Sequence, residues 1–327
     1  MRISRAELSD SVEKAFSGRE LTNDPDFSWQ AISEMGWLLM GVPEGRGGLG
    51  QGAEARGVIH HGLGRMLVLG PIIAQMMVID ALVGGRQDDQ TDALLDAAAS
   101  GHKMTASLAI GGHPELLEAV PDADLASHVL HIHDEQIRLV PLAECEVRER
   151  ETWDTTRRLF DVRLGPHPGI VLAECETARA LAETVRTNML IALSADSLGG
   201  AEAALAITVD YLGTRRQFDR PLAMFQALKH RCADLRAAIS LADALLWQQV
   251  SAGVSLVQAG ALKSEACRVY KKVAEEAIQL HGGIGLTLEH PCHLFLKRAF
   301  LNAALGGDGD YWEEQAGHAR INELGRH

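Results

Sequence analysis

Apolar residues recur at three- and four-residue spacing through Ala53–Met66 and Ile72–Val83, which predicts helices with a buried face. The turn-rich stretch "PEGRGGLGQG" (Pro43–Gly52) reads as a loop between helices. Near residue 104 the period changes. "SHVLHIH", "QIRLVPL", "RLFDVRL" and "GIVLAE" alternate or run apolar over strand lengths, separated by Asp-, Gly- and Pro-rich breaks. They predict a small β domain with room for about six short strands. From Glu176 the pattern is helical again. Phe225, Leu228, Cys232, Leu235, Ile239, Ala242, Leu245 and Leu246 mark one face of a long helix. Ala261–Leu280 predicts another, stopped by Gly282-Gly283. Long helices with short connections predict an antiparallel four-helix bundle. The expected class is α+β, mostly α: a helical domain over 1–103, a central β domain over 104–174 and a C-terminal bundle over 175–327.

Composition narrows the function. The chain has 327 residues, 46% of them hydrophobic, enough for two or three domains with sizeable cores. With 44 acidic against 31 basic residues, a general nucleic-acid surface is excluded, while a local cationic site for a phosphorylated small molecule is not. The five cysteines are scattered with no Cys-x-x-Cys pair, which argues against a zinc site or disulfide framework and fits a cytoplasmic location. The start, "MRISRAELSD", carries no apolar signal region. The greasiest stretch, Met66–Ile79, is interrupted by Gly70, Pro71 and Gln75 and reads as a buried helix rather than a membrane span. Gly45-x-Gly47-x-x-Gly50 matches the dinucleotide pattern, but no strand–turn–helix surrounds it. His60-His61, His131-x-His133 and His290 read as core or surface histidines, with no metal expected. Trp247 and Met224 read as core or interface filler.

One stretch goes against the acidic balance. "YLGTRRQFDRPLAMFQ" (Tyr211–Gln226) gathers Arg215, Arg216 and Arg220 around Phe218 at a helix break. Taken alone, such arginines are solvated charges complementing a helix dipole. Their order and spacing carry more. "RRQFDRPLAMFQ" resembles the Arg-x-x-Phe-Gly…Gln signature of acyl-CoA dehydrogenases, with Asp219 in the glycine position. "QLHGGIGLTLEHP" (Gln279–Pro291) resembles that family's Gln-x-x-Gly-Gly-x-Gly segment, and "GWLLMGVPEGRGGLG" its N-terminal turn.

The resemblance implies an acyl-CoA dehydrogenase-like fold and an FAD held across a subunit boundary. Arg215 would offer its planar fork to the pyrophosphate. Phe218 would be an apolar wall, Gln226 and Gln279 amide partners, and Gly282 and Gly283 a backbone without Cβ atoms in the way. The family's base is a glutamate that takes the α-proton of the thioester. At its usual place stands Gly306, in "LGGD", and the alternative place falls at Asn188–Met189. Asp308 and Asp310 are the weak substitutes; "GGDGDYWEEQ" reads instead as a helix start capped by Asp310. Relative to the family the β domain is reduced: its acid–Pro–Gly–Ser–Asp order is missing, and "ETWDTT" reads as a loop rather than the strand beside the flavin. Lys297-Arg298 occupies the place of an Arg-Asp pair, so that salt bridge is expected to be lost, with a partner contact in its stead.

A chain with the adenine-side donors but no base and no flavin cradle resembles the short subunit of heteromeric (α2β2) actinobacterial acyl-CoA dehydrogenases. The expected partner is a longer subunit carrying the glutamate, the expected substrate a bulky, steroid-derived acyl-CoA, and the electron acceptor an electron-transfer flavoprotein. No nucleic acid or membrane partner is expected. The alternatives are a homomeric enzyme with an unusual base, or a flavin-free scaffold.

Overall fold

The computed structural model of the chain describes residues 3–16, 24–133 and 135–324. Five helices come first: α1 (Arg5–Phe16), α2 (Pro25–Glu34), α3 (Ala53–Arg65), α4 (Ile72–Gly84) and α5 (Asp89–Ala99). The Pro43–Gly52 loop carries only a short 3₁₀ turn, with no strand before it, so its glycine pattern opens no βαβ unit. Helix α4 is buried almost all round. Its Gln75 amide is satisfied by backbone alone: it donates to Ala98 O (2.8 Å) and His102 O (2.9 Å) and accepts from Met104 N (2.7 Å). That fixes the path from α5 into the first strand. Helix α5 begins with a capping box between Asp88 and Thr91.

Seven strands follow: β1 (Thr105–Ala106), β2 (Leu116–Pro121), β3 (His128–His133), β4 (Gln136–Pro141), β5 (Glu146–Arg150), β6 (Leu159–Arg163) and β7 (Ile170–Glu174). They form two sheets, ordered β1-β3-β4-β7 and β2-β6-β5. Val120, Val129, Val140, Phe160 and Val162 form a small core between them. One strand more than expected is present. Strand β5, "EVRER", has no fully buried residue and only Val147 to mark it, so no apolar alternation shows in the sequence. Residues 151–158 are a loop, as "ETWDTT" suggested, with Trp153 exposed.

The C-terminal helices are α6 (Cys175–Thr214), α7 (Gln226–Ala252), α8 (Leu256–His281), α9 (Cys292–Ala304) and α10 (Gly309–Leu324). Helix α6, 40 residues and so about 60 Å long, is apolar enough to cross a bilayer by composition. Its most apolar window is 78% buried inside the protein, which makes it the core helix of the bundle. Contacts between α6 and α8 keep a constant offset: Ser197 meets Cys267, Gly200 meets Tyr270 and Tyr211 meets His281, a difference of 70 each time. The two helices therefore run parallel, with α7 returning antiparallel between them. On α7 the predicted stripe is covered at Leu235, Ile239, Ala242 and Leu246, whereas Leu228, Cys232 and Leu245 are half-exposed and Phe225 lies before the helix.

A buried ionic network ties the β region to the bundle, and it corrects the expectation for Arg298. That side chain is not left for a partner. Its Nε donates to Asp154 Oδ2 (2.9 Å) and its Nη2 to Thr156 O (3.0 Å), with Asp196 at 3.5 Å. Arg157 pairs with Asp196 (3.2 Å) and donates to Asn302 Oδ1 (2.7 Å), and Asn302 donates to Asp196 Oδ2 (2.7 Å). Burial alone would raise the Asp196 carboxyl, but Arg157 and Arg298 beside it hold it below its ordinary value. Burial likewise opposes the charge on Arg298, and Asp154 and Asp196 outweigh it. Two guanidinium and two carboxylate groups neutralise one another, which is how charges persist in a core.

Candidate cofactor and catalytic site

Helix α6 ends at Arg215, whose backbone turns extended. A two-stranded hairpin follows, β8 (Arg216–Gln217) and β9 (Arg220–Pro221), with Phe218 and Asp219 as its two-residue loop. Both loop residues have positive φ, 52° and 61°, as the right-twisted two-residue hairpin requires. Aspartate is among the few residues that tolerate this region, so the turn survives without the family's glycine. Two of the three arginines brace the hairpin. Arg216 donates to Asp219 O (2.8 Å), and the Arg220 guanidinium lies 4.0 Å from the centroid of Phe225. Phe225 in turn meets Phe218 edge-on at 6.1 Å. The Arg215 guanidinium is exposed and has no hydrogen-bond or ion-pair partner among the described residues. Phe218 is 85% exposed.

The parallel register of α6 and α8 brings the second motif to the same end of the bundle. Tyr211, one turn before Arg215, stacks on His281 at 4.5 Å, and Gly282 and Gly283 come next. Gly282, at φ 67°, is the C-cap of α8, and a Cβ at either glycine would meet nothing within 4 Å. Gln279 in the last turn of α8 and Gln226 at the start of α7 are both exposed. The end surface thus presents a spare guanidinium, two amides, an exposed aromatic ring and bare backbone. That chemistry fits a diphosphate joined to a flat aromatic group.

The expected base position lies elsewhere. Gly306 has φ 66°, and its N–H donates to Leu108 O (2.7 Å). A Cβ there would come within 2.9 Å of Leu193 Cδ1 and 3.1 Å of Leu190 Cδ2. Lys263 fixes the turn by donating to Ala303 O (2.8 Å) and Gly307 O (2.6 Å), and Trp312 donates to Gly306 O (2.8 Å). Asp308, not Asp310, caps α10: its Oδ1 accepts from Tyr311 N at 2.9 Å. Both aspartates are exposed. At the alternative place, Met189 is buried and Asn188 donates to Asp80 Oδ2 (2.8 Å). Asp80, distant in sequence and so missed there, thus brings a carboxylate to this position, but it is held by Arg56 at 2.5 Å.

Sequence reasoning also missed a cavity of about 350 Å³ between the β region and α6, lined by Ser107, Gly111, Leu130, His131, Arg186 and Met189 among others. Arg186 is half-buried in it, and burial lowers its pKa. His131 is pushed down to about 4, by burial first and then by Arg138, so it is neutral at pH 7. No single residue type in the sequence marks this cavity; the loop that leads into β2, Gly111 to Pro114, is part of its lining.

Helices, a two-sheet β region and a long-helix bundle in this order make the acyl-CoA dehydrogenase fold. The family's N-terminal domain matches residues 2–102 and its C-terminal domain residues 180–318, and the chain belongs to that family. Its members oxidise a CH–CH bond of an acyl-CoA thioester, with FAD as cofactor. The chain is 32% identical over 284 residues to acyl-CoA dehydrogenase IpdE2 of Mycobacterium tuberculosis, covering 85% of this chain and 81% of that protein. Among solved structures it resembles the ChsE4-ChsE5 complex from Mycobacterium tuberculosis (TM-score 0.84, 21% identity, 97% of each chain). It also resembles the Tcur3481-Tcur3483 steroid acyl-CoA dehydrogenase (TM-score 0.83, 22% identity, 98% of each chain).

Proposed function

We propose that this chain is the subunit without a catalytic base in a heteromeric acyl-CoA dehydrogenase, and that it completes the adenine and pyrophosphate side of an FAD site whose flavin end lies in a longer partner. The observation that carries the reading is a separation. Leu190 and Leu193, which enclose Gly306, and Arg215 lie on the same straight helix, 22 to 25 residues and so about 33–38 Å apart. One dinucleotide does not span that distance, so Arg215 serves a reaction centre other than the one beside its own Gly306. At that own centre the base position is a glycine, and a side chain there would crowd Leu193 and Leu190.

In this reading Arg215 binds the pyrophosphate, Gln226 and Gln279 orient it, Gly282 and Gly283 allow close approach, and Phe218 excludes water from one side. Bound FAD supplies the hydride acceptor, and the partner's carboxylate takes the α-proton. The half-exposed start of α7, at Leu228 and Cys232, supports an interface there. The substrate is a bulky steroid-derived acyl-CoA, the electrons pass to an electron-transfer flavoprotein, and the complex, a heterotetramer, works in the cytoplasm. A homomeric enzyme using Asp308 is disfavoured because that carboxylate caps α10.

The test is co-purification of this chain with its neighbouring gene product, with flavin counted per chain. A colourless lone chain that yields a yellow, thioester-oxidising complex supports the proposal. A lone chain that is yellow and turns over an acyl-CoA overturns it. A complex whose FAD content ignores Arg215→Ala would make the chain a scaffold.

A further inference from the structure

Three side chains that play no part in the reading above converge where α8 gives way to α9. His281, His290 and Cys292 each offer a ligand atom, and these atoms lie within 4.8 Å of one another. The rings of His281 and His290 are 4.3 Å apart, and Cys292 Sγ is 3.6 Å from His281 Nδ1. We propose that this cluster is a binding site for a zinc-class divalent metal ion, with His281, His290 and Cys292 as protein ligands.

The ligand chemistry is that of a borderline-soft ion: two imidazoles and a sulfur. Tetrahedral bonds of about 2.0–2.3 Å place ligand atoms about 3.3–3.6 Å apart, so movements of about 1 Å close the set. His281 Nδ1 lies 2.7 Å from Ala277 O, a carbonyl that can only accept, which favours the proton on Nδ1. The lone pair is then on Nε2, which is buried beside the Ile207 carbonyl, an acceptor that offers it no proton. A metal-bound histidine shows the same arrangement, its second nitrogen donating to a backbone carbonyl. A buried, unpaired nitrogen is otherwise a standing penalty. His293, on the first turn of α9 and close enough to bear on the charge of His290, also keeps Nδ1 buried without a partner. It or a water fills the fourth position.

Binding replaces the proton of the Cys292 thiol with the metal and releases that proton to solvent, so affinity rises with pH. The ion would pin the turn from Gly282 to Pro291 and, through the Tyr211 ring stacked on His281, the end of α6.

The experiment is cobalt(II) titration of the full chain after chelator treatment, followed by zinc competition. The expected result is one equivalent of Co2+ giving tetrahedral visible bands and a thiolate-to-cobalt charge-transfer band, both bleached by Zn2+. Cys292→Ala removes the charge-transfer band, and His290→Gln, at a half-exposed position that leaves the fold intact, weakens binding at least about tenfold. Absence of the charge-transfer band in the wild-type chain overturns the proposal. So does binding that both variants leave unchanged, which would mark adventitious surface sites. The outcome is independent of whether the chain binds FAD.

Discussion

Replacing Arg298 by methionine isolates the buried ionic network. Methionine keeps most of the volume and removes the charge. Arg298 is 1% exposed and is, among the described residues, the only arginine bonded to Asp154, whose Oδ1 still accepts from Thr156 N at 2.8 Å. Asp196 keeps Arg157 and Asn302. The variant therefore strands one buried carboxylate, at about 3–5 kcal/mol. With an unfolding entropy of about 2.1 cal/mol/K per residue over the chain, Tm falls by about 4–7 °C, read by scanning calorimetry at pH 7. Adding Asp154→Asn removes the stranded charge and recovers about 1–3 kcal/mol of that loss. A Tm shift under about 1 °C, or a double variant no better than the single one, would refute the reasoning. The same network sets an acid limit. The folded pKa of Asp196 lies below its unfolded value, so its contribution is complete above about pH 4 and is lost as pH falls through the lowered value.

Burial pushes His60 down to about 3, against about 6.5 unfolded, so its contribution is complete above pH 6.5 and lost on acidification. At pH 5 the loss is about 2 kcal/mol, and His60→Gln should flatten the Tm profile between pH 7.5 and 5 by about 3 °C relative to wild type. Gly306→Glu restores the family's residue but places a side chain at φ 66° against Leu193 and Leu190; it should lower Tm and leave the lone chain unable to oxidise an acyl-CoA, and an active, yellow variant would contradict this. Gly283→Val meets open space, so Tm should move by less than about 1 °C while the FAD content of the complex falls; unchanged flavin would remove Gly283 from the site.

The helices were legible because their apolar period persists over many turns, as in α8, where thirteen residues from Ala259 to His281 are buried. Strands β3, β4, β6 and β7 were legible for the same reason at period two. Strand β5 was not, since Val147 is its one apolar side chain against the small core and its other positions are charged. The arginine motif was visible, but not the division of labour within it: which arginine is spare depends on the hairpin fold, where Arg216 and Arg220 are spent on Asp219 and Phe225. Arg298 was misread because its partners, Asp154 and Asp196, are far away in the chain. The cap of α10 was misplaced by two residues, the usual uncertainty of a helix end.

The constant offset between α6 and α8 limits how such a chain can drift in length. One residue inserted between Ser197 and Tyr211 would swing Tyr211 by about 100° around the helix axis and lift it about 1.5 Å, off the His281 ring. Insertions and deletions among descendants of this sequence should therefore collect in the exposed loops, such as residues 111–115 and the turn at Gly253, and spare the two long parallel helices.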